Sequence, residues 1–201
     1  MTGPNTRHGI ESSRREAILM NGTVTTLTSR NADFAQHSFV PGASMMPALK
    51  TIVIGCADPR VDPAHVLGLA DGEALVIRNI GGRYTPATLQ TMATLRAIAQ
   101  AEGAAPGPGW NLIVLQHTDC GITRLGGQPG LLASIFGIDE AGLPAKAVGD
   151  PRAAVAVDVA AIKDNPFLPA EFTVSGLVYD VRSGLIETVV APSRLREDTA
   201  A

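Results

Sequence analysis

Two short stretches of the sequence carry residues that can bind a metal. Cys56 follows the apolar run 51–55, and His117 and Cys120 follow the apolar run 111–116. Two thiolates and an imidazole suit Zn²⁺, which prefers sulfur and nitrogen ligands in a tetrahedral arrangement. Three protein ligands leave a fourth position open for water, as in catalytic zinc sites, and the chain has only 2 cysteines with which to build a structural site. We therefore expect one Zn²⁺ per chain.

Two other interpretations of these residues remain open at the level of sequence. Free cysteines are often no more than small buried apolar residues, and a His-x-x-Cys spacing alone has little specificity. A cysteine beside a histidine can also act as a metal-free nucleophile. Both stretches lie at the ends of predicted strands, where open α/β sheets form their sites, and this position favours zinc.

Asp58 and Arg60 are the candidate catalytic residues. They follow Cys56 with one residue between each. Alternate side chains of an extended segment share a face, and Pro59 pushes the residue before it towards extended geometry. The guanidinium of Arg60 can hold the Asp58 carboxylate in its ionised form. An ordinary structural ion pair is the alternative, and the zinc site predicted beside the pair favours a catalytic role.

Strands and helices alternate along most of the chain. A helix is predicted to begin at Thr85 and Pro86 and to end near Gly103. The alternation predicts an α/β fold, in which a mostly parallel central sheet of about four parallel strands plus an antiparallel edge strand is flanked by helices. The predicted strands are 51–55, 74–77, 111–116, 172–181 and 185–190.

The sequence predicts a single zinc-enzyme domain over residues 11–190. Residues 1–10 are predicted to be disordered, and 191–201 to form a flexible tail. Two short helices are predicted near Ser13–Met20 and Ser29–His37.

Composition excludes several classes of protein. An apolar fraction of 45% and a charged fraction of 17% over 201 residues are typical of a globular chain. The net charge of -3 argues against general nucleic-acid binding. Apolar runs such as 112–115 are far shorter than the ~20 residues that span a bilayer, and the N-terminus lacks a signal-peptide pattern. We therefore expect a cytoplasmic protein that binds neither nucleic acid nor membrane.

Three motifs together resemble the β-class carbonic anhydrases. They are Cys56-x-Asp58-x-Arg60, Arg78-Asn79-x-Gly81-Gly82 and His117-x-x-Cys120-Gly121, and the similarity continues to the Gly176–Val181 stretch and the glycine turn after it. The resemblance implies zinc on the Cys-His-Cys set, a catalytic Asp-Arg dyad, and a homodimer or higher homo-oligomer. It also implies, more weakly, a substrate pocket that includes Asn79, Gly81, Gly82 and Gly121.

The leading hypothesis for function is the reversible hydration of carbon dioxide to bicarbonate, a zinc lyase (carbonate dehydratase) activity. Zinc lowers the pKa of its bound water, so a zinc-bound hydroxide oriented by Asp58 and Arg60 would attack the carbon. Two thiolates should acidify that water less than histidines do, so activity is expected to rise towards alkaline pH. Carbonyl sulfide and carbon disulfide hydrolases resemble the same family and are the alternative. A non-catalytic zinc-binding protein on this fold is the third hypothesis.

Overall fold

The computed structural model describes residues 6–104 and 106–196, with side chains from residue 22 onward. The chain divides into two compact units, 1–43 and 44–201. The first unit holds one helix, α1 (Thr6–His37), so the prediction of two short helices there is wrong. Residues 1–5 of the predicted disordered end and 197–201 of the predicted tail lie outside the described residues. The predicted single domain over 11–190 stays a prediction.

The second unit is built on a sheet of five strands in the order β2-β1-β3-β4-β5. The first four are parallel and β5 runs antiparallel to β4, which confirms the predicted fold class. The strands are β1 (Thr51–Cys56), β2 (Ala74–Asn79), β3 (Asn111–His117), β4 (Thr173–Tyr179) and β5 (Ile186–Arg194).

The central strands are apolar because both of their faces are covered. Every residue of β1 is buried, and the core contains Ile54 of β1 and Leu112 and Val114 of β3. A continuous apolar run, rather than an alternating one, is the pattern expected of a parallel strand between two layers. On one side, Val155 and Ile162 of the helix 151–163 complete this core.

Proline begins each of the four helices described in the second unit. The N–H groups of the first helical turn have no partner within the helix, so the N–H that proline lacks is not missed there. Thr85 caps α3 through its side-chain oxygen, as predicted, and Gly103 follows the helix with a φ of 75°. The helices are α2 (Pro63–Val66), α3 (Pro86–Ala101), α4 (Pro129–Phe136) and α5 (Pro151–Lys163). Three 3-10 turns lie between them, at Ile80–Gly82, Gly121–Gly127 and Glu140–Lys146.

Strand order decides which loops can meet. Because β1 pairs directly with both β2 and β3, the segments that leave these three strands emerge side by side at one edge of the sheet. Within the described part of the chain, every helix is too short or too polar to cross a lipid bilayer.

Candidate metal centre

Cys56, His117 and Cys120 come together at the carboxyl ends of β1 and β3. Cys56 is the last residue of β1 and His117 the last of β3. All three side chains are buried, and their ligand atoms lie within 4.8 Å of one another. Two sulfurs held at ~2.3 Å by one tetrahedral ion would be about 3.8 Å apart. The distance from Cys56 Sγ to Cys120 Sγ is 3.7 Å.

His117 keeps one ring nitrogen available for a metal. Its Nδ1 lies 2.8 Å from the carbonyl oxygen of Thr118, and since a carbonyl only accepts, Nδ1 carries the proton and donates it. Nε2 is then an acceptor, and it is buried with no hydrogen-bond partner among the described residues. A buried polar atom without a partner is rare and unfavourable, and a metal bond would satisfy it. The donor set therefore fits Zn²⁺.

The two cysteines change each other's protonation. A hydrogen bond from Cys120 lowers the pKa of Cys56, and His117 and the backbone N–H of Asp58 act in the same direction against burial. The same contact, together with burial, raises the pKa of Cys120. The two thiols therefore share a proton and titrate as a pair. A cation between them would favour the thiolate form of both.

Asp58 and Arg60 form a two-pronged ion pair next to the ligands. Arg60 Nε donates to Asp58 Oδ1 at 3.0 Å and Arg60 Nη2 to Asp58 Oδ2 at 2.8 Å. The backbone N–H of Arg60 adds a third bond to Oδ1 at 2.9 Å. The side-chain bonds of Arg60 are the main cause that lowers the pKa of Asp58 to about 2. The carboxylate is therefore ionised and accepts hydrogen bonds at any physiological pH.

Arg60 also contacts the loop between the other two ligands. Its Nη1 donates to Asp119 Oδ2 at 3.0 Å, and its Nη2 donates to the carbonyl oxygen of Asp119 at 3.0 Å. The second carboxylate oxygen of Asp119 accepts from Arg124 Nη2 at 3.0 Å. These contacts were not predicted from the sequence.

Arg78 supports the backbone that carries the dyad. Its Nε donates to the carbonyl oxygen of Cys56 at 2.9 Å, and its Nη2 donates to that of Asp58 at 2.8 Å. Its Nη1 pairs with Asp62, whose other carboxylate oxygen caps α2. The motif that begins with Arg78 thus reaches the dyad through main-chain atoms.

The four residues assigned to a substrate pocket occupy different environments. Asn79 accepts from the Arg83 N–H at 2.8 Å and donates to the Arg83 carbonyl oxygen at 2.7 Å, so its amide is used within the β2–α3 turn. Gly81, with a φ of 81°, lines a cavity of about 50 Å³ together with His117 and Cys120. Gly121 begins a 3-10 turn and faces open space.

Gly82 lies directly beneath the ends of the two strands that bear the ligands. Its φ is 62°, and a Cβ at this position would meet the Leu115 carbonyl oxygen at 2.9 Å and the Cys56 nitrogen at 3.0 Å. Only glycine permits both the backbone conformation and the close approach. The β2–α3 turn therefore packs, through main-chain contacts, against the edge of the sheet that holds the candidate ligands.

A buried ion pair next to the site was not predicted from the sequence. Arg83 and Asp158 are each 1% exposed, and Arg83 Nε donates to Asp158 Oδ2 at 2.7 Å. The same carboxylate oxygen accepts from Gln116 Nε2 at 3.0 Å and from the Tyr84 N–H at 3.1 Å. One carboxylate of α5 thus joins the β2–α3 turn to the residue that precedes the ligand His117.

The chain is similar in sequence to known carbonic anhydrases. A sequence profile described as carbonic anhydrase matches residues 51–131, the segment that holds the three candidate ligands and the dyad. β-Carbonic anhydrase 1 of Mycobacterium tuberculosis is 27% identical over 165 residues, which cover 80% of this chain and 94% of that protein. The chain is therefore similar to the β-carbonic anhydrases, most directly over residues 51–131.

Solved structures share the fold of this chain. Carbonic anhydrase from Streptococcus mutans superposes with a TM-score of 0.61 at 24% identity, covering 83% of this chain and 96% of that one. A carbon disulfide hydrolase in its apo form superposes with a TM-score of 0.53 at 20% identity, covering 83% of this chain and 90% of that one. At these identities the likeness concerns the fold.

Proposed function

We propose that this protein catalyses the reversible hydration of carbon dioxide to bicarbonate, with one Zn²⁺ held by Cys56, His117 and Cys120. The observation that carries the proposal is the fit of the ligand set beside an ionised carboxylate. The sulfurs have the separation of a tetrahedral edge, and the buried His117 Nε2 lacks a partner within the described residues. The similarity to β-carbonic anhydrases supports the same activity.

The residues of the chain have distinct roles in this reaction. Bound Zn²⁺ supplies Lewis-acid chemistry that makes hydroxide available near neutral pH. Asp58, which can only accept hydrogen bonds, would accept a hydrogen bond from the O–H of the attacking oxygen and so direct a lone pair of that oxygen towards the carbon of carbon dioxide. Arg60 holds the Asp58 carboxylate in this orientation through its two parallel hydrogen bonds.

Activity is expected to rise towards alkaline pH. The two thiolates of Cys56 and Cys120 offset the charge of the cation, so the attacking water loses its proton less readily than it would beside three neutral histidines. Because the pKa of Asp58 lies at about 2, that carboxylate does not add a second ionisation near neutrality.

Variants of the dyad and of a ligand test the proposal. Asp58→Asn removes the obligate acceptor and should lower carbon dioxide turnover by about 10²–10⁴-fold while zinc content stays at one per chain. Cys120→Ser should lose most of the zinc. Stopped-flow hydration assays and elemental analysis measure the two effects, and full turnover of Asp58→Asn at every pH would refute the proposed mechanism.

A sulfur-containing substrate is the second candidate, because a carbon disulfide hydrolase has the same fold as this chain. The same ligands and dyad would serve hydrolysis of carbonyl sulfide or carbon disulfide, because the attacked carbon is again bonded to two chalcogens. Assays of one preparation on carbon dioxide and on carbonyl sulfide separate the candidates by their values of kcat/KM.

We also propose that the protein is a homodimer or a larger homo-oligomer. Val76 and Ile80 are exposed along the edge strand β2 and just beyond it. An apolar cleft of about 500 Å³ opens beside α3, with Met92 and Trp110 in its lining. Apolar surface of this extent is typical of a subunit interface. Sedimentation of an active monomer at micromolar concentration would refute the assembly.

A cytoplasmic location stays a prediction.

A further inference from the structure

Asp119 adopts a backbone conformation that side chains rarely take. Its φ is 52°, in the left-handed region, and it stands between the ligands His117 and Cys120. Aspartate tolerates this region better than most residues, because its short side chain bonds locally, but the conformation still persists only where surrounding contacts hold it. The contacts of the Asp119 carboxylate and carbonyl group are therefore what hold this conformation.

Both polar groups of Asp119 contact the dyad arginine. The carboxylate accepts from Arg60 Nη1, and the carbonyl oxygen accepts from Arg60 Nη2, each at 3.0 Å. Two further donors of that guanidinium reach Asp58 at 3.0 and 2.8 Å. Hydrogen bonds therefore hold the Arg60 side chain between the turn after β1 and the loop after β3.

Packing alone holds Arg60 weakly, because 48% of its side chain is exposed. Asp119 is 50% exposed and Arg124, its second partner, is 73% exposed. Exposed ion pairs contribute little to the free energy of folding, so this cluster has little effect on stability. Its effect is geometric, because four hydrogen bonds fix where the guanidinium of Arg60 lies.

We propose that Asp119 is a positioning residue, which holds Arg60 against Asp58 and couples the dyad to the loop that carries His117 and Cys120. Its effect on turnover rests on the proposed function. Its effect on the order of the Arg60 side chain does not, and can be measured whatever the substrate is. Arg124 supports the arrangement from the outer side of the carboxylate.

Two substitutions distinguish the effect of the Asp119 carboxylate from the effect of its backbone conformation. Asp119→Gly removes the side chain and tolerates the positive φ, so it relieves strain rather than adding it. Asp119→Asn also tolerates this φ and keeps one acceptor oxygen for Arg60. Lys50→Gly is the matched control, because Lys50 has a φ of 46° at the opposite end of β1. Removal of the side chain at this positive-φ position should leave the Arg60 side chain unaffected.

The decisive measurement is ¹⁵N relaxation of the Arg60 Nε–H in the zinc-loaded protein. We expect the order parameter of this group to fall in Asp119→Gly, to fall less in Asp119→Asn, and to be unchanged in Lys50→Gly. Turnover should follow the same order, with a loss of about 10-fold or more in kcat for Asp119→Gly. KM, zinc content and the free energy of unfolding should change little.

An Arg60 side chain that stays equally ordered in Asp119→Gly overturns the inference, and so does an unchanged kcat in an enzyme that turns over carbon dioxide. If the unmodified protein turns over neither carbon dioxide nor carbonyl sulfide, the proposed function fails. In that case the relaxation measurement alone decides the role of Asp119.

Discussion

The guanidinium of Arg60 determines the ionisation state of the Asp58 carboxylate. The carboxylate is mostly buried, and its two oxygens accept three hydrogen bonds from Arg60. These bonds favour the charged form by more than burial disfavours it. Protonation of Asp58 must therefore break the pair, which links its ionisation to the stability of the fold.

The pH dependence of stability should reveal this pair. The pKa of Asp58 falls to about 2 in the folded chain. A depressed pKa stabilises the fold above its unfolded value of about 4, and that contribution disappears as the pH falls towards 2. We expect the difference in unfolding free energy between the native chain and Asp58→Asn to be constant above about pH 5 and to shrink below about pH 4.

Chemical denaturation of the metal-free protein between pH 2 and 7 would measure this difference. The pKa values of Asp119 and Asp180 are also lowered, so the native chain alone would show a composite transition. Subtraction of the Asp58→Asn curve isolates one carboxylate. A difference that stays the same at every pH would contradict the prediction.

Spacing explains which site residues could be predicted. Cys56, Asp58 and Arg60 stand within five residues of a strand end, so local geometry suffices to place them together. Arg83 and Asp158 are 75 residues apart. Neither belongs to a local pattern, and only the packing of α5 against the sheet brings them into contact.

At the scale of elements, the β2–α3 turn is the part that tolerates least change. Gly82 contacts the backbone of both ligand-bearing strands, so an added methyl group would have to displace main chain rather than a flexible side chain. We expect Gly82→Ala to lower zinc affinity and the free energy of unfolding together.

Gly68 provides the matched control. Its φ of 66° is close to that of Gly82, but a Cβ there would meet nothing within 4 Å. Gly68→Ala should therefore have only the effect of a left-handed alanine, about 1–2 kcal/mol. Isothermal titration with Zn²⁺ and thermal unfolding compare the two variants, and equal losses in both would show that the close approach at Gly82 is unimportant.

The Arg83–Asp158 pair joins three elements, the β2–α3 turn, β3 and α5. Asp158→Asn leaves the guanidinium buried without its countercharge, and such broken pairs lose about 3–5 kcal/mol of stability. Glu187→Gln makes the same chemical change in the exposed pair of Arg152 and Glu187 and should lose much less stability. Denaturant titration measures both, and similar losses would contradict the assigned role of burial.

Elements were predictable where periodicity was strong. The five strands and α3 were placed within a few residues, because apolar runs and the Thr85–Pro86 start have direct physical meanings. Residues 121–150 are rich in glycine and proline and have no sustained period, and they fold into two 3-10 turns around the short α4. Such turns are held by tertiary contacts that a local pattern does not encode.

At the scale of the whole molecule, the candidate site lies at one edge of the sheet. The ligands, the dyad and Arg78 all lie at or just beyond the carboxyl ends of β1, β2 and β3. Open α/β sheets form their sites at this edge because the connections that leave neighbouring strands diverge there.

The candidate ligands also lie far apart along the chain, so a bound metal would affect the stability of the fold. Cys56 and Cys120 are separated by 64 positions, and an ion bound to both would close the intervening chain into a loop. By analogy with a disulfide, closing a loop of this length removes about 4 kcal/mol of conformational freedom from the unfolded state. Unfolding in the presence of a chelator should therefore show a lower stability, and Cys120→Ser should abolish the difference between chelated and zinc-loaded samples.

That loop spans β1, β2, α3 and β3. During synthesis, Cys56 leaves the ribosome long before His117 and Cys120, and the three donors meet only after β3 has docked beside β1. Capture of the proposed zinc by all three donors would therefore require that the first three strands have already assembled, and uptake of the ion would mark the completion of this half of the fold.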